Sequence, residues 1–340
     1  MLSGNIDMLW LELLGFLVLI LIAAEVFVNA LEHLGEKLRI SEGVTGSIFA
    51  AVGTALPETM VPLLAIFAGT QNVQVNQEIG VGAILGAPLM LSTLTMFLIS
   101  LAVLKKRGVQ GHFTPERTGL KRDMNFFLAA FGLSCVALFI PHDSGQIRFL
   151  FSIIMVLIYF VYVMMTLRAS AALVQDGHAT EAGKPMFLSK VGIPTTLFTI
   201  LIQLALGLGL LVAGAEGFIH GIEQAAPILG ISALLLSLMI VPLATELPEK
   251  VNSILWIRKH KDTLAFGNVT GAMVFQGTLL PAIGIALTPW VPQKEVLAGV
   301  VITLVAAAWL RLMIARGQLR VWHLWVNGAL YVSYLVVALA

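Results

Sequence analysis

One six-residue motif occurs twice in the chain, as Gly53-Thr54-Ala55-Leu56-Pro57-Glu58 and as Ala244-Thr245-Glu246-Leu247-Pro248-Glu249. Each copy lies near the middle of a long apolar stretch. A proline inside a helix removes one backbone hydrogen bond and frees the carbonyl group one turn earlier. In lipid such a carbonyl has no replacement partner, so broken backbone at that depth lines a cavity or an ion site. Each copy therefore predicts a kinked spanning helix with a carboxylate beside free backbone carbonyls.

The composition indicates that lipid is the solvent of this chain. Its 340 residues are 58% hydrophobic and 11% charged, and the mean hydropathy is +0.94. Soluble domains carry roughly 25% charged residues, so this chain could not cover a water-facing surface. The lipid bilayer is the expected partner. The formal net charge of +1 gives no reason to expect nucleic acid as a partner.

Ten apolar stretches are long enough to cross a membrane, which takes ~20 residues. With the N-terminus outside, seventeen lysines and arginines fall in or beside inside loops and two in outside segments. This bias predicts ten transmembrane helices with both termini outside, and the short loops suggest a prokaryotic plasma membrane. The predicted spans are 9–31, 43–69, 78–104, 124–140, 145–167, 191–223, 228–257, 267–289, 295–316 and 319–340.

The motif belongs to a longer internal repeat, which relates residues 24–94 to residues 215–279. The offset is 191 in the first part and 185 after a shorter loop, and Glu25 falls on Glu216. Five spans separate equivalent helices, so the two copies must cross the membrane in opposite senses. Inverted repeats of this kind are typical of transporters with a site at the midplane. We predict a five-helix half at 1–167, a cytoplasmic linker at 168–190 and a second half at 191–340.

Glu58 and Glu249 are the candidate metal ligands. A glutamate in mid-membrane costs several kcal/mol unless it is paired, protonated or bound to a cation. Two of them meeting at one centre would repel each other, and a divalent cation would neutralise both. Oxygen ligands suit Ca²⁺, which takes ~6–8 of them in flexible geometry. Thr54 and Thr245 add a hydroxyl four residues before each glutamate, on the same helix face.

Further candidates are Glu246, Asn268 and the matched pair Glu25 and Glu216, and the role of Glu246 is left open between two interpretations. Glu246 corresponds to Ala55 and precedes Lys250 by four residues, so it is either a cation ligand or half of a salt bridge. Asn268 lies inside the small-residue motif Gly267-x-x-x-Gly271 and is the best polar candidate to face Glu58. The matched pair Glu25 and Glu216 is interpreted mainly as a packing anchor. The spacing of Gly82 and Gly86, as of Gly267 and Gly271, predicts close helix approach.

These motifs resemble the alpha repeats of the calcium/cation antiporter superfamily, which includes the sodium/calcium exchangers. That family carries a motif close to G-T-S-L-P-E in one helix and G-N-x-x-G-S-N in the next. The resemblance implies central Ca²⁺ ligands at Glu58 and Glu249, with Thr54 and Thr245 completing the shell and Asn268 lining the pocket. It also implies alternating access, in which the first and sixth spans slide past a fixed core. The family's motif serine is Ala55 or Glu246 here, which leaves the coupling ion open between Na⁺ and H⁺.

The sequence thus predicts an all-α secondary active antiporter, similar in fold to a sodium/calcium exchanger. It would exchange a divalent cation, expected to be Ca²⁺, for Na⁺ or H⁺. We expect no cofactor beyond the transported ions and no enzymatic activity. The sequence leaves the oligomeric state open. A cation-binding or sensing membrane protein without transport is one alternative function, and a cation channel is another.

Overall fold

A computed structural model describes residues 2–37, 56–174 and 185–340. These ranges are almost entirely helical, apart from an isolated β-bridge between His112 and Arg320. A π-helical turn, Leu91–Thr95, continues α3 into α4, and a 3₁₀-helix, Phe187–Val191, precedes α7. The α-helices of the described chain are α1 Leu2–Lys37, α2 Leu56–Ala68, α3 Val73–Met90, α4 Met96–Arg107, α5 Arg117–Ala137, α6 Gly145–Val174, α7 Leu197–Leu229, α8 Ala233–Thr245, α9 Leu247–Arg258, α10 Asp262–Leu287, α11 Lys294–Arg316 and α12 His323–Leu339.

Six helical segments in the described ranges are long and apolar enough to cross a bilayer. Each predicted span overlaps a helix of the described residues, although residues 43–55 of the second span lie outside them, and α8, α9 and α12 are each shorter than a full crossing. The protein is therefore an all-helical, multi-pass membrane protein, while the number of ten crossings stays a prediction. The six segments are Met8–Leu34, Val73–Arg107, Gly145–Thr166, Leu197–Leu229, Asp262–Leu287 and Lys294–Arg316.

The helices group into two compact units. The first comprises Met1–Asn76 and Met164–Gly230, and the second comprises Gln77–Val163 and Ile231–Ala340. Each unit contains helices from both predicted sequence halves, so the grouping in space differs from the order in sequence.

In the first unit, α1 packs along α7 through glycines. A methyl group added at any of four glycines of α7 would come within 3.0 Å of a residue of α1. Glycines at these positions let the two helices approach closely. The contacts run in opposite order along the two helices, so α1 and α7 are antiparallel. The pairs are Gly207 with Phe27, Gly214 with Ile20, Gly217 with Phe16 and Gly221 with Leu13.

Two buried amides join this helix pair to the chain that precedes α7. The Gln203 side chain donates to Asn29 Oδ1 at 2.9 Å and to the Val26 carbonyl at 3.0 Å. Asn29 Oδ1 accepts from the Phe187 N–H, and Gln203 Oε1 accepts from the Leu188 N–H, each at 3.0 Å. Amides buried in an apolar protein need such partners, and here they fix the 3₁₀-helix against α1 and α7.

In the second unit, α3 lies directly against α8. A methyl group at Gly82 would meet the Leu234 carbonyl at 2.6 Å, and one at Gly86 would meet the Pro242 ring at 2.7 Å. Ser237 Oγ donates to the Ile79 carbonyl at 2.7 Å across the same contact. The close approach predicted from the first glycine pair is therefore confirmed.

The matching prediction for the second glycine pair, Gly267 and Gly271, stays a prediction. Among the described residues, a methyl group at Gly271 would meet the Tyr162 hydroxyl at 3.8 Å. The repeat-related counterparts of the α8 residues that Gly82 and Gly86 contact fall within 38–55, outside the described residues.

A buried arginine caps the C-terminal end of α10. Arg148 is 3% exposed, and its guanidinium donates to the carbonyls of Ile285, Thr288 and Pro289. These carbonyls lie at or just beyond the last turn of α10, where helix carbonyls lack intrahelical donors and the helix dipole favours a positive charge. Arg148 therefore stabilises the C-terminal end of the helix that carries Asn268.

Candidate cation site

The second copy of the repeated motif lies at a break between two helices. α8 ends at Thr245 and α9 begins at Leu247, and Glu246 between them has φ −87° and ψ 10°. Pro248 lies in the first turn of α9, where a missing N–H costs nothing. The break predicted from the proline is therefore confirmed in this copy.

The first copy is described from Leu56 onward, which matches Leu247. Glu58 lies in α2 at the position that corresponds to Glu249 in α9. Partial positive charge at the N-terminus of α9 favours the Glu249 carboxylate in its first turn. Thr54 lies outside the described residues, so its predicted role stays a prediction.

The motif residues that the structure describes are buried. Glu58 is 3% exposed in the first unit, whereas in the second unit Glu246 is 0% and Glu249 is 4% exposed. Burying carboxylates in a membrane protein is costly and marks functional positions. The convergence of Glu58 and Glu249 on one centre stays a prediction.

Thr245 presents an oxygen beside the helix break. Its hydroxyl is buried and donates its proton to the Val241 carbonyl at 3.0 Å. A hydroxyl that donates in this way keeps its lone pairs for accepting. The predicted role of Thr245 as a cation ligand stays a prediction.

Glu246 forms an ion pair with Lys250. Lys250 Nζ lies 3.0 Å from Glu246 Oε2 and donates to the Pro242 carbonyl at 2.8 Å. Neither oxygen of Glu246 accepts an aligned hydrogen bond from the described residues. Of the two roles left open for Glu246, the salt bridge is the one seen in the structure.

Asn268 holds the backbone of Glu249. Its amide nitrogen donates to the Glu249 carbonyl at 3.2 Å and to Ser253 Oγ at 3.0 Å, which joins α10 to α9. Asn268 thus fixes the start of α9, a positioning role that the sequence did not reveal. The expected contact between Asn268 and Glu58 stays a prediction.

Asp123 is a buried acid that the sequence reasoning missed. It is 5% exposed on α5 and accepts hydrogen bonds from Thr270 Oγ1 at 2.7 Å and from the Tyr162 hydroxyl at 3.2 Å. Arg122 lies 3.6 Å away. The available signal was an acid one residue before the predicted fourth span, together with Thr270 inside the small-residue motif Gly267-x-x-x-Gly271.

The matched pair Glu25 and Glu216 is exposed, on α1 and α7. Glu216 lines a cavity of about 250 Å³ with Thr70 and His220 in the first unit. His220 Nδ1 lies 3.2 Å from Glu223 Oε2. These exposed groups differ from the buried motif acids, and their predicted role as packing anchors stays a prediction.

Buried carboxylates within apolar helices mark ion or substrate pathways in membrane proteins, and helices broken within a span are features of secondary transporters. The chain matches the sodium/calcium exchanger protein family over residues 8–168 and 199–340, and it belongs to this family. The resemblance read from the paired motifs is therefore confirmed.

Relatives of this chain come from distant organisms. It is 26% identical over 278 residues to the putative antiporter CaxA of Alkalimonas amylolytica, covering 81% of this chain and 79% of that protein. It is 22% identical over 275 residues to the inner membrane protein YrbG of Escherichia coli K12, covering 80% and 78%. The sodium/potassium/calcium exchanger 3 of Rattus norvegicus is 27% identical over 155 residues, which are 44% of this chain and 22% of that protein.

Two solved exchangers share the fold. The crystal structure of the H⁺/Ca²⁺ exchanger CAX superposes with a TM-score of 0.72 at 15% identity, covering 96% of this chain and 82% of that one. The sodium-calcium exchanger NCX_Mj superposes with a TM-score of 0.55 at 19% identity, covering 96% and 98%. At these identities the likeness concerns the fold.

Proposed function

We propose that the protein is a secondary active antiporter that exchanges Ca²⁺ for Na⁺ or H⁺ across a plasma membrane. The observation that carries the proposal is the burial of Glu58 and Glu249 at corresponding positions of the two motif copies. Membership of the sodium/calcium exchanger family supports the same activity. Relatives named as antiporters or exchangers support it further.

In this proposal, Glu58 and Glu249 supply the carboxylates that bind the divalent cation. Thr54 and Thr245 add oxygens, and Asn268 lines the site while holding the Glu249 backbone. Hard oxygen donors of this kind suit Ca²⁺. No resident cofactor is needed, because the ion is the substrate.

The charge of the two glutamates explains why transport would be an exchange. Two buried carboxylates brought to one centre repel each other, and their burial in a membrane costs several kcal/mol. The site therefore changes its access only when a divalent cation, or the monovalent ions or protons that replace it, has neutralised this charge. Such a rule couples the two ion flows and distinguishes an antiporter from a channel.

The packing of α1 against α7 supports inverted repeats and alternating access. These helices correspond in the repeat and run antiparallel, as inverted copies require. We propose that they are the moving pair, within ten transmembrane helices whose two termini lie outside. Their contact through glycines lets them move as one body.

Reconstituted vesicles test the proposal directly. Uptake of ⁴⁵Ca²⁺ should follow an imposed gradient of either Na⁺ or H⁺, measured separately, and should not follow voltage alone. Voltage-driven flux without a counter-ion would indicate a channel, and Ca²⁺ binding without flux would indicate a sensor. Either result contradicts the proposal.

Substitution of the two glutamates tests the site. Glu58→Gln and Glu249→Gln should each lower exchange by more than about 100-fold, since even outer-shell changes cost ~10–100-fold. Glu36→Gln is the matched control, because that side chain is 51% exposed on α1. Normal Ca²⁺ exchange in both buried-site variants, at equal protein in the membrane, would exclude them as ligands.

A further inference from the structure

Lys250 places a positive charge directly beside the broken motif. The side chain of Lys250 is 4% exposed and that of Glu246 is fully buried. The ammonium contacts one carboxylate oxygen at 3.0 Å and one backbone carbonyl at 2.8 Å. A carboxylate is an anionic oxygen donor, and backbone carbonyls at helix breaks coordinate Na⁺ in membrane transporters.

The helix break makes the second of these oxygens available. The Glu246 N–H reaches the Pro242 carbonyl at 3.3 Å, a long hydrogen bond where the helix ends. The ammonium takes the same carbonyl at the shorter distance of 2.8 Å. The lysine therefore satisfies an acceptor that the break would otherwise leave weakly bonded inside the protein.

The first copy of the motif has neither member of this pair. The residues that correspond to Glu246 and Lys250 are Ala55 and Thr59. The second copy thus carries one extra negative charge and one extra positive charge, four residues apart. The pair leaves the formal charge of the motif equal to that of the other copy.

We propose that Lys250 is a tethered counter-cation, which fills the place beside Glu246 that a mobile monovalent cation such as Na⁺ would otherwise occupy. The inference rests on the proposed antiport function and narrows its ion specificity. Glu246 then binds no transported cation, and the exchange cycle needs no Na⁺ at this position. The divalent cation is left to Glu58 and Glu249.

Removing the ammonium should create a Na⁺ site. In Lys250→Met the Glu246 carboxylate and the Pro242 carbonyl remain, whereas their cation is lost. A ligand that binds only the folded state raises the melting temperature. In detergent at matched ionic strength, NaCl in place of choline chloride should therefore raise the melting temperature of Lys250→Met by roughly 3 °C or more beyond any shift of the wild type.

The double variant Glu246→Gln/Lys250→Met is the matched control. It lacks the same lysine but has no carboxylate to attract a cation, so its Na⁺ response should equal that of the wild type. Lys250→Arg keeps the positive charge and should also behave as the wild type does. A Na⁺ shift of equal size in all four proteins would overturn the proposal.

Vesicles give a second measurement that separates this inference from the proposed function. Ca²⁺ uptake by Lys250→Met should gain a Na⁺ dependence about fivefold or more above that of the wild type, a difference of ~1 kcal/mol in binding. Absence of counter-ion-driven uptake in the wild type would end the antiport proposal, while the melting comparison would still test Lys250. If the wild type exchanges ions and Ca²⁺ uptake by Lys250→Met is no more dependent on Na⁺ than that of the wild type, the inference about Lys250 is wrong while the antiport proposal stands.

If Lys250→Met folds poorly, its accumulation in membranes still tests whether a mobile cation can replace the ammonium of Lys250. Failure of Lys250→Met to accumulate in membranes at every Na⁺ concentration, beside normal accumulation of the double variant, would show that no mobile cation replaces the ammonium. Accumulation rescued by Na⁺ would support the proposal.

Discussion

Buried acids in the described chain find their stabilisation in different ways. Asp262, at the start of α10, accepts hydrogen bonds from the two terminal guanidinium nitrogens of Arg107, at 2.7 and 2.8 Å. Glu246 has an ammonium, and Asp123 has two hydroxyl donors. A buried carboxylate that already has fixed partners is less available to a transported ion, because binding would first have to displace those partners.

Removal of the Asp123 carboxylate should weaken the contact between α5 and α10 and lower the stability of the protein. Asp123→Ala leaves two buried hydroxyls without their acceptor, which typically costs ~1–3 kcal/mol, so the melting temperature in detergent should fall. Asp123→Asn keeps an acceptor and should fall less. A stability of Asp123→Ala equal to that of the wild type would show that the contact with Thr270 does not hold α10.

At the scale of the elements, glycines and helix ends set the positions of the site residues. The break at Glu246 starts α9, and Asn268 on α10 holds the Glu249 carbonyl in the first turn of α9. Arg148 stabilises the far end of α10. A helix that is too short to cross the bilayer, such as α9, is thus held in position by side-chain hydrogen bonds from a neighbouring helix.

Two glycines of α7 offer a matched test of the α1–α7 contact. A methyl group at Gly207 would lie 3.0 Å from the backbone of Phe27, which cannot move independently, whereas one at Gly209 would meet nothing within 4 Å. Gly207→Ala should therefore lower the melting temperature. Gly209→Ala should keep or raise it, because alanine stabilises a helix by ~0.5–1 kcal/mol over glycine.

Transport rates of the same two variants bear on the proposed motion. If α1 and α7 move as one body, Gly207→Ala should slow exchange while Gly209→Ala keeps the wild-type rate. Equal rates in the two variants, with the stability difference present, would separate this packing contact from transport.

At the scale of the whole molecule, charge in the loops predicts the orientation. Most lysines and arginines lie in or beside the loops assigned to the inside. Positively charged loops stay on the cytoplasmic side when a membrane protein is inserted. The two compact units combine helices from both predicted halves. Orientation is therefore a property of the whole chain, which no single helix decides.

Cysteine labelling in intact cells tests the predicted orientation. In a Cys135→Ser background, Asp143→Cys and Gln293→Cys should react with an impermeant maleimide added outside. Lys106→Cys, at the end of α4, should react only after the cells are opened. All three side chains are exposed, so access depends on the side of the membrane. Outside labelling of Lys106→Cys would reverse the predicted topology.

The sequence by itself determined the class of protein, the helical segments, the break at the second motif and the family. These properties depend on local hydrophobicity, on the proline and on repeat spacing, all of which are written along the chain. The close approach at Gly82 could also be predicted, because it depends on residue size at helical spacing.

Three contacts became visible in the folded protein alone: the ion pair of Glu246 with Lys250, the acceptor role of Asp123 and the bond from Asn268 to the Glu249 backbone. One cause explains all three. Each depends on which atoms of distant segments, or of a broken helix turn, come within about 3–4 Å. Spacing along one helix does not specify that distance.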